Sequence, residues 1–353
     1  MKTSPQSFSS ELVRRVVHFL WRQWGQIGLA SVSVEPRDGW AVDPEALWLL
    51  SATYARHDPR LFDEIMDWLS RNANFVNVPR LKSVLRRYEF VGEHVVAAMA
   101  ARVMEENQRL HWRFPAPHGD VDAQPLFLNA DGTPMPKFGA PDPGFLKNGF
   151  RRGKVELRGL SRSFNPVMPE CALLRLRALF GVSARADIML YLLTHDVAHP
   201  SGIARETGFS QKNVQDTLVA MAASTVVNTV QFAGRMKHYF VLKDERPRFL
   251  YHSDKLGLMP RWVTWPPLFR ALELLLDETR GMATKPLSES LLASELRRVA
   301  GLVRPLAQQA GLAESFSEAS RITGAAYAAA FMEETDAWLA GALGERRRAE
   351  SGG

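Results

Sequence analysis

Apolar residues recur at helical spacing along most of the chain. Over residues 8–29, Leu12, Val16, Phe19, Leu20 and Trp24 form one stripe, while Arg14, Arg15 and Arg22 fall off it. Two helix starts of one design follow, Asp43-Pro44-Glu45 and Asp58-Pro59-Arg60. Each puts Asp at the N-cap, where its carboxylate can accept an otherwise orphaned N–H, and Pro at the first helical position. The second leads into the stripe Leu61, Ile65, Trp68 and Leu69. Pro79 opens a basic helix carrying Arg80, Lys82, Arg86 and Arg87, and residues 93–107 read as another. Residues 1–112 are therefore expected to form an N-terminal helical domain of about five helices. Trp21, Trp24, Trp48 and Trp68 follow the helix stripes, which favours core packing over a ligand pocket.

The pattern breaks over residues 113–146. Seven prolines and four glycines interrupt any long element there. The segment is a linker or an irregular arm lying on a neighbouring surface, and Phe127, Phe138 and Phe145 favour the arm. Helical spacing returns over residues 253–345, a C-terminal helical domain. Pro266-Pro267 starts one helix, and residues 287–310 and 314–343 give two more. The last holds Phe331 and Trp338, one heptad apart. They anchor either a second copy of the chain or a contact with the N-terminal domain. Residues 346–353 read as a frayed tail.

Residues 147–252 make up a central domain. Ala186 to Leu193 is apolar nearly all round and predicts a buried helix. After His199-Pro200 comes a short helix, Ser201 to Thr207, with Ile203 and Ala204 facing in. Gly208 supplies a tight turn, and Ser210 is a good N-cap for a helix over Gln211 to Ala223. Val214, Leu218 and Met221 make its inward stripe. Val226 to Phe232 and Lys237 to Leu242 have strand composition, with a turn at Ala233-Gly234-Arg235-Met236 between them.

This order of helix, helix, turn, helix and β-hairpin resembles a winged helix-turn-helix of the MarR and ArsR type, over residues 185–242. The matching positions are Ile203-Ala204, Gly208, Val214, Leu218, Met221 and the hairpin tip at Gly234. Ser224-Thr225 stands where many relatives place a Gly before the first wing strand. The resemblance implies a second helix that enters the major groove of DNA and a hairpin tip that reaches toward the adjacent backbone. Gln211, Lys212, Asn213 and Gln215 offer the groups that pair with base edges. Arg235, Lys237 and His238 at the wing suit phosphates. The fold expected is mainly α, with a central winged helix and a small hairpin flanked by two helical domains.

Composition and charge narrow the alternatives. The 353 residues suggest two or three domains. Apolar residues are 46% and charged residues 23%, which excludes disorder for most of the chain. Lys and Arg number 44 against 38 Asp and Glu, so the formal charge of +6 permits a polyanion partner without requiring one. Residues 147–185 are more strongly basic and form either a solvated surface or a phosphate-facing stretch. Cys171 is the single cysteine, which excludes a disulfide framework within one chain. No membrane span and no signal peptide are read, and a cytoplasmic location is expected.

No catalytic motif emerges. His195 and His199 have metal-ligand spacing, but Pro200 follows at once and the segment falls where the winged-helix plan puts a loop. Gly149 to Val155 has three residues between its glycines, where a phosphate loop needs four, and Val155 stands where Ser or Thr would bind magnesium. No enzyme activity, cofactor or metal is expected. The chain reads as a transcriptional regulator that binds double-stranded DNA as a homodimer. The alternative is a protein-interaction module, antitoxin-like or an assembly partner, with a structural winged helix.

Overall fold

The two Asp-Pro caps form as their sequence requires. The computed structural model describes residues 4–30, 39–114, 122–136, 139–231, 236–251, 259–311, 322 and 324–345. Asp43 Oδ1 accepts from the Ala46 N–H at 3.0 Å and Asp58 Oδ1 from the Leu61 N–H at 3.0 Å. They open α2 (Pro44–Tyr54) and α3 (Pro59–Asn72). With α1 (Pro5–Gln26), α4 (Val78–Tyr88) and α5 (Glu93–Glu106), these are the N-terminal helices. Trp24 and Trp68 meet edge to face at 5.0 Å in their core, and Trp48 is fully buried with its ring 5.5 Å from that of Trp112.

The N-terminal helices share their core with α12 (Trp265–Ala283), α13 (Glu289–Gln309) and α14 (Ala325–Ala342). The reason lies in α2, which is buried along nearly its whole length and so needs neighbours on every side. Helices α1, α4 and α5 cover part of it, and α12 covers the rest. Phe19 packs against Trp265 and Phe269 at 5.9 and 6.0 Å, and Tyr54 Oη donates to the Leu272 carbonyl at 2.6 Å. The two flanking domains read from the sequence thus bury one common core.

The face of α14 expected to anchor either a second copy or the chain's own N-terminal domain is buried within the chain, where α14 packs on α13. Phe331 and Trp338 are 2% and 1% exposed within the common core. Arg15 on α1 pairs with Asp336 and Glu345, and Arg22 donates to the Leu343 carbonyl. The part of the expected helix before Ile322 lies outside the described residues, as does the tail from residue 346.

The Pro/Gly-rich segment is an arm on this body. Phe127 and Phe145 pack on Phe62 at 5.5 and 6.0 Å, whereas Phe138 lies outside the described residues. Strand β1 (Gln124–Pro125) pairs in parallel with β2 (Phe150–Arg151), on either side of the short helix α6 (Pro143–Lys147). Arg56 Nε donates to the Leu126 carbonyl at 2.8 Å. Residues 147–171 continue along the same body: the Asp67 carboxylate accepts from the Gly159 and Ser161 N–H groups. A second hydrophobic core, otherwise built from Ala172 onward, takes in only Ala41 from the earlier chain.

The described residues are mainly helical, with two sheets of two strands each. Among them no helix is long and apolar enough to cross a membrane.

Candidate nucleic-acid interface

The second core is assembled around α8 (Ala184–Thr194), which is buried on all sides over Ala186 to Leu193. It packs against α7 (Ala172–Phe180) on one side and the following helices on the other. After Thr194 the chain runs extended, and Ala198 exchanges two 2.9 Å backbone hydrogen bonds with Tyr239. His199 then caps α9 (Pro200–Thr207), its Nδ1 accepting from the Ser201 N–H at 3.3 Å. Gly208 turns the chain at φ +82°, a conformation that favours glycine. Ser210 Oγ accepts from the Asn213 N–H and opens α10 (Gln211–Ala222).

The antiparallel strands β3 (Asn228–Gln231) and β4 (Lys237–Phe240) follow, with Val230 opposite His238. The chain then enters α11 (Glu245–Tyr251), whose Arg246 donates to the His195 carbonyl at 2.8 Å. Ile203, Ala204, Val214, Leu218 and Met221 are all buried in the second core, as their spacing predicts.

Burial of that stripe decides what α10 shows to solvent. Lys212, Asp216 and Val219 occupy the centre of the outer face, and Gln211 is exposed on the first turn, one turn before Gln215. Gln215 sits on the edge toward the hairpin, where its Nε2 donates to Tyr239 Oη at 3.4 Å. Asn213 sits on the other edge. It accepts from Thr217 Oγ1 at 3.2 Å and lines a groove with Pro79 and Arg185. Gln211, Lys212 and Gln215 are thus brought together, and Asn213 is turned away from them.

On the wing, Lys237 Nζ lies 5.6 Å from the centre of the Tyr239 ring. The His238 ring stands 5.3 Å from that of His199, beside the start of α9. Arg235 lies outside the described residues. Thr225, between α10 and β3, adopts φ +63°. The backbone here takes the glycine conformation with a β-branched side chain, at a cost of about 1–2 kcal/mol.

The other candidates resolve into structural roles. His195 and His199 do not share a helix, because α8 ends at Thr194 and α9 begins at Pro200. The His195 ring stacks on Tyr191 at 3.8 Å instead. Within the basic stretch, Arg152 is buried against Asp63 and Arg177 against Glu45 and Asp187, which takes both out of any phosphate-facing surface. Arg151, Lys154, Arg158 and Arg162 are exposed on the body with the first core.

A contact that residue spacing did not reveal holds the turn between α9 and α10. Helix α4 lies across the end of α9 and donates to carbonyls there: Arg80 Nε to Thr207 at 2.7 Å, Ser83 Oγ to Gly208 at 3.1 Å and Arg87 Nη1 to Ala204 at 3.3 Å, the last a carbonyl that also accepts the Gly208 N–H. Beneath it, Arg80 and Arg177 face the carboxylates of Asp43, Glu45 and Asp187, all buried. Burial opposes ionisation of Asp43, yet Arg80 beside it holds its carboxyl below the usual range. Burial dominates at Asp187 and pushes its carboxyl up. The only sequence signal was a pair of acids, Asp43 and Glu45, at the start of a very apolar helix.

No family model, no curated protein and no solved structure matches this chain. The reading of the site therefore rests on its geometry.

Proposed function

We propose that residues 185–242 are a winged helix-turn-helix that reads double-stranded DNA, and that the protein is a cytoplasmic transcriptional regulator. The mounting of α10 carries this reading. Its apolar stripe is buried, and its first turns present Gln211, Lys212 and Gln215 beside a hairpin that bears Lys237. The isolated Ala198–Tyr239 bridge, which ties the chain before α9 to the hairpin, supports the reading, because a winged helix has a strand at that place. Amide side chains on such a helix suit adenine, and Lys212 suits guanine. Lys237 and Arg235 suit the flanking phosphates. Paired half-sites one DNA turn apart would call for a homodimer. Its contact would use a surface other than the buried α14 face.

A gel shift at several salt concentrations, with DNA upstream of the protein's own gene, tests the reading. The expected result is a discrete complex whose log affinity falls linearly with log salt. Absence of a complex, or equal affinity for unrelated DNA, rejects it.

One observation favours a second reading. Val219 at the centre of the outer face is 55% exposed and has Asp216 beside it, a combination that suits a protein partner better than a polyanion. Under that reading Val219→Glu abolishes partner capture and leaves DNA untouched.

A further inference from the structure

Where the arm folds back over β2 it leaves a cavity of about 320 Å³. Three stretches of the chain enclose it. Pro59 comes from the start of α3, Phe127, Met135 and Pro141 from the arm, and residues 151–154 from β2 and its continuation. That volume is in the range of small-molecule sites, which are mostly apolar with a few convergent polar groups. Among the described residues no carboxylate lines it.

The cations around it are not equivalent. Arg152 is buried, donates to both Asp63 oxygens at 2.7 and 3.1 Å, and lies 5.0 Å from the ring centres of Phe127 and Phe145. Its charge is already balanced, and it serves as wall. Arg151 and Lys154 are exposed, and among the described residues neither side chain makes an ion pair or a hydrogen bond. Two uncompensated cations therefore flank an otherwise apolar hollow.

We propose that this cavity binds a small aromatic carboxylate, with its ring against Phe127, Met135 and Pro141 and its carboxylate between Arg151 and Lys154. A guanidinium and an ammonium match one planar carboxylate, and charge-assisted hydrogen bonds to it are the stronger kind. An apolar cation would be repelled. A neutral aromatic would keep the wall contacts and lose the charged ones. Because the ligand touches the arm, β2 and α3 together, it also ties the arm to the body and stabilises the folded chain by linkage. The inference is independent of DNA reading by α10.

Isothermal titration of the full chain with 2-naphthoate, and with the neutral 2-naphthalenemethanol, tests it. Saturable one-to-one binding of the acid is expected, tighter than the alcohol by roughly tenfold. The double variant Arg151→Ala/Lys154→Ala should erase that difference with unchanged circular dichroism, because both residues are exposed. Met135→Trp, which fills the hollow, should abolish binding of both compounds. The proposal is overturned by any one of three results: no saturable binding of the acid, equal affinity for acid and alcohol, or wild-type acid binding in the charge variant. Should Met135→Trp fail to fold, the charge variant decides alone.

Discussion

Arg80 donates from Nε to the carbonyl oxygen of Thr207 at 2.7 Å, across 127 residues of sequence. Thr207 is the last residue of α9, so a side chain of the N-terminal body caps the helix just before the turn that leads into α10. The same guanidinium balances Asp43, Glu45 and Asp187. One residue thereby fastens the helix–turn–helix to the body that precedes it. Gly208 shows how close that fastening is, since a Cβ there would stand 2.9 Å from Val84 Cγ2.

Arg80→Ala should destabilise the protein by about 3–5 kcal/mol, because it leaves buried carboxylates uncompensated. Urea denaturation followed by tryptophan fluorescence reads the loss. A change under 1 kcal/mol would show that the cluster behaves as an exposed one.

Thr225→Gly should stabilise the protein by about 1 kcal/mol, since it removes the strain of a β-branched side chain at positive φ. Among the described residues the threonine hydroxyl hydrogen-bonds only its neighbour, the Ser224 carbonyl at 2.6 Å, so little else is lost. A lower melting temperature in the glycine variant contradicts the strain at this position.

Glu273 makes stability depend on pH. It is 1% exposed and accepts from Thr53 Oγ1, from the Val91 N–H at 3.3 Å and from Arg270 at 3.2 Å. Burial outweighs these bonds and pushes its pKa from 4.5 to about 7. The folded chain therefore holds a proton that the unfolded chain releases between those values. Its contribution is fully present below pH 4.5 and is lost as pH rises through about 7. The total is roughly 3 kcal/mol. Glu273→Gln should flatten the stability profile between about pH 5 and pH 8 relative to wild type. Parallel profiles for the two proteins would rule this group out.

On the outer face of α10, Gln211→Ala with Lys212→Ala should weaken specific DNA binding by about 1–3 kcal/mol per lost base contact. Circular dichroism should not change, since both side chains are exposed on the first turn of α10. Unaltered affinity for the operator removes this helix from the reading role.

The sequence by itself determined what local chemistry dictates. Asp43, Asp58 and Ser210 announce helix starts because an N-cap needs only its own next three residues. Val214, Leu218 and Met221 announce the inner side of α10, and so its outer one, because helical periodicity is a property of one segment. Phe127 and Phe145 marked the arm as attached, since apolar rings seek cover. Tertiary structure alone decided the rest. An arginine on a basic helix reads the same whether it is solvated, like Arg86, or buried against Asp187, like Arg80. Phe331 and Trp338 make the same stripe whether they meet another copy or are buried within the chain's own core. The cavity at Arg151 and Lys154 exists only because the arm, β2 and the start of α3 converge there. Each outcome depends on which distant surface completes the burial, and no local pattern encodes that.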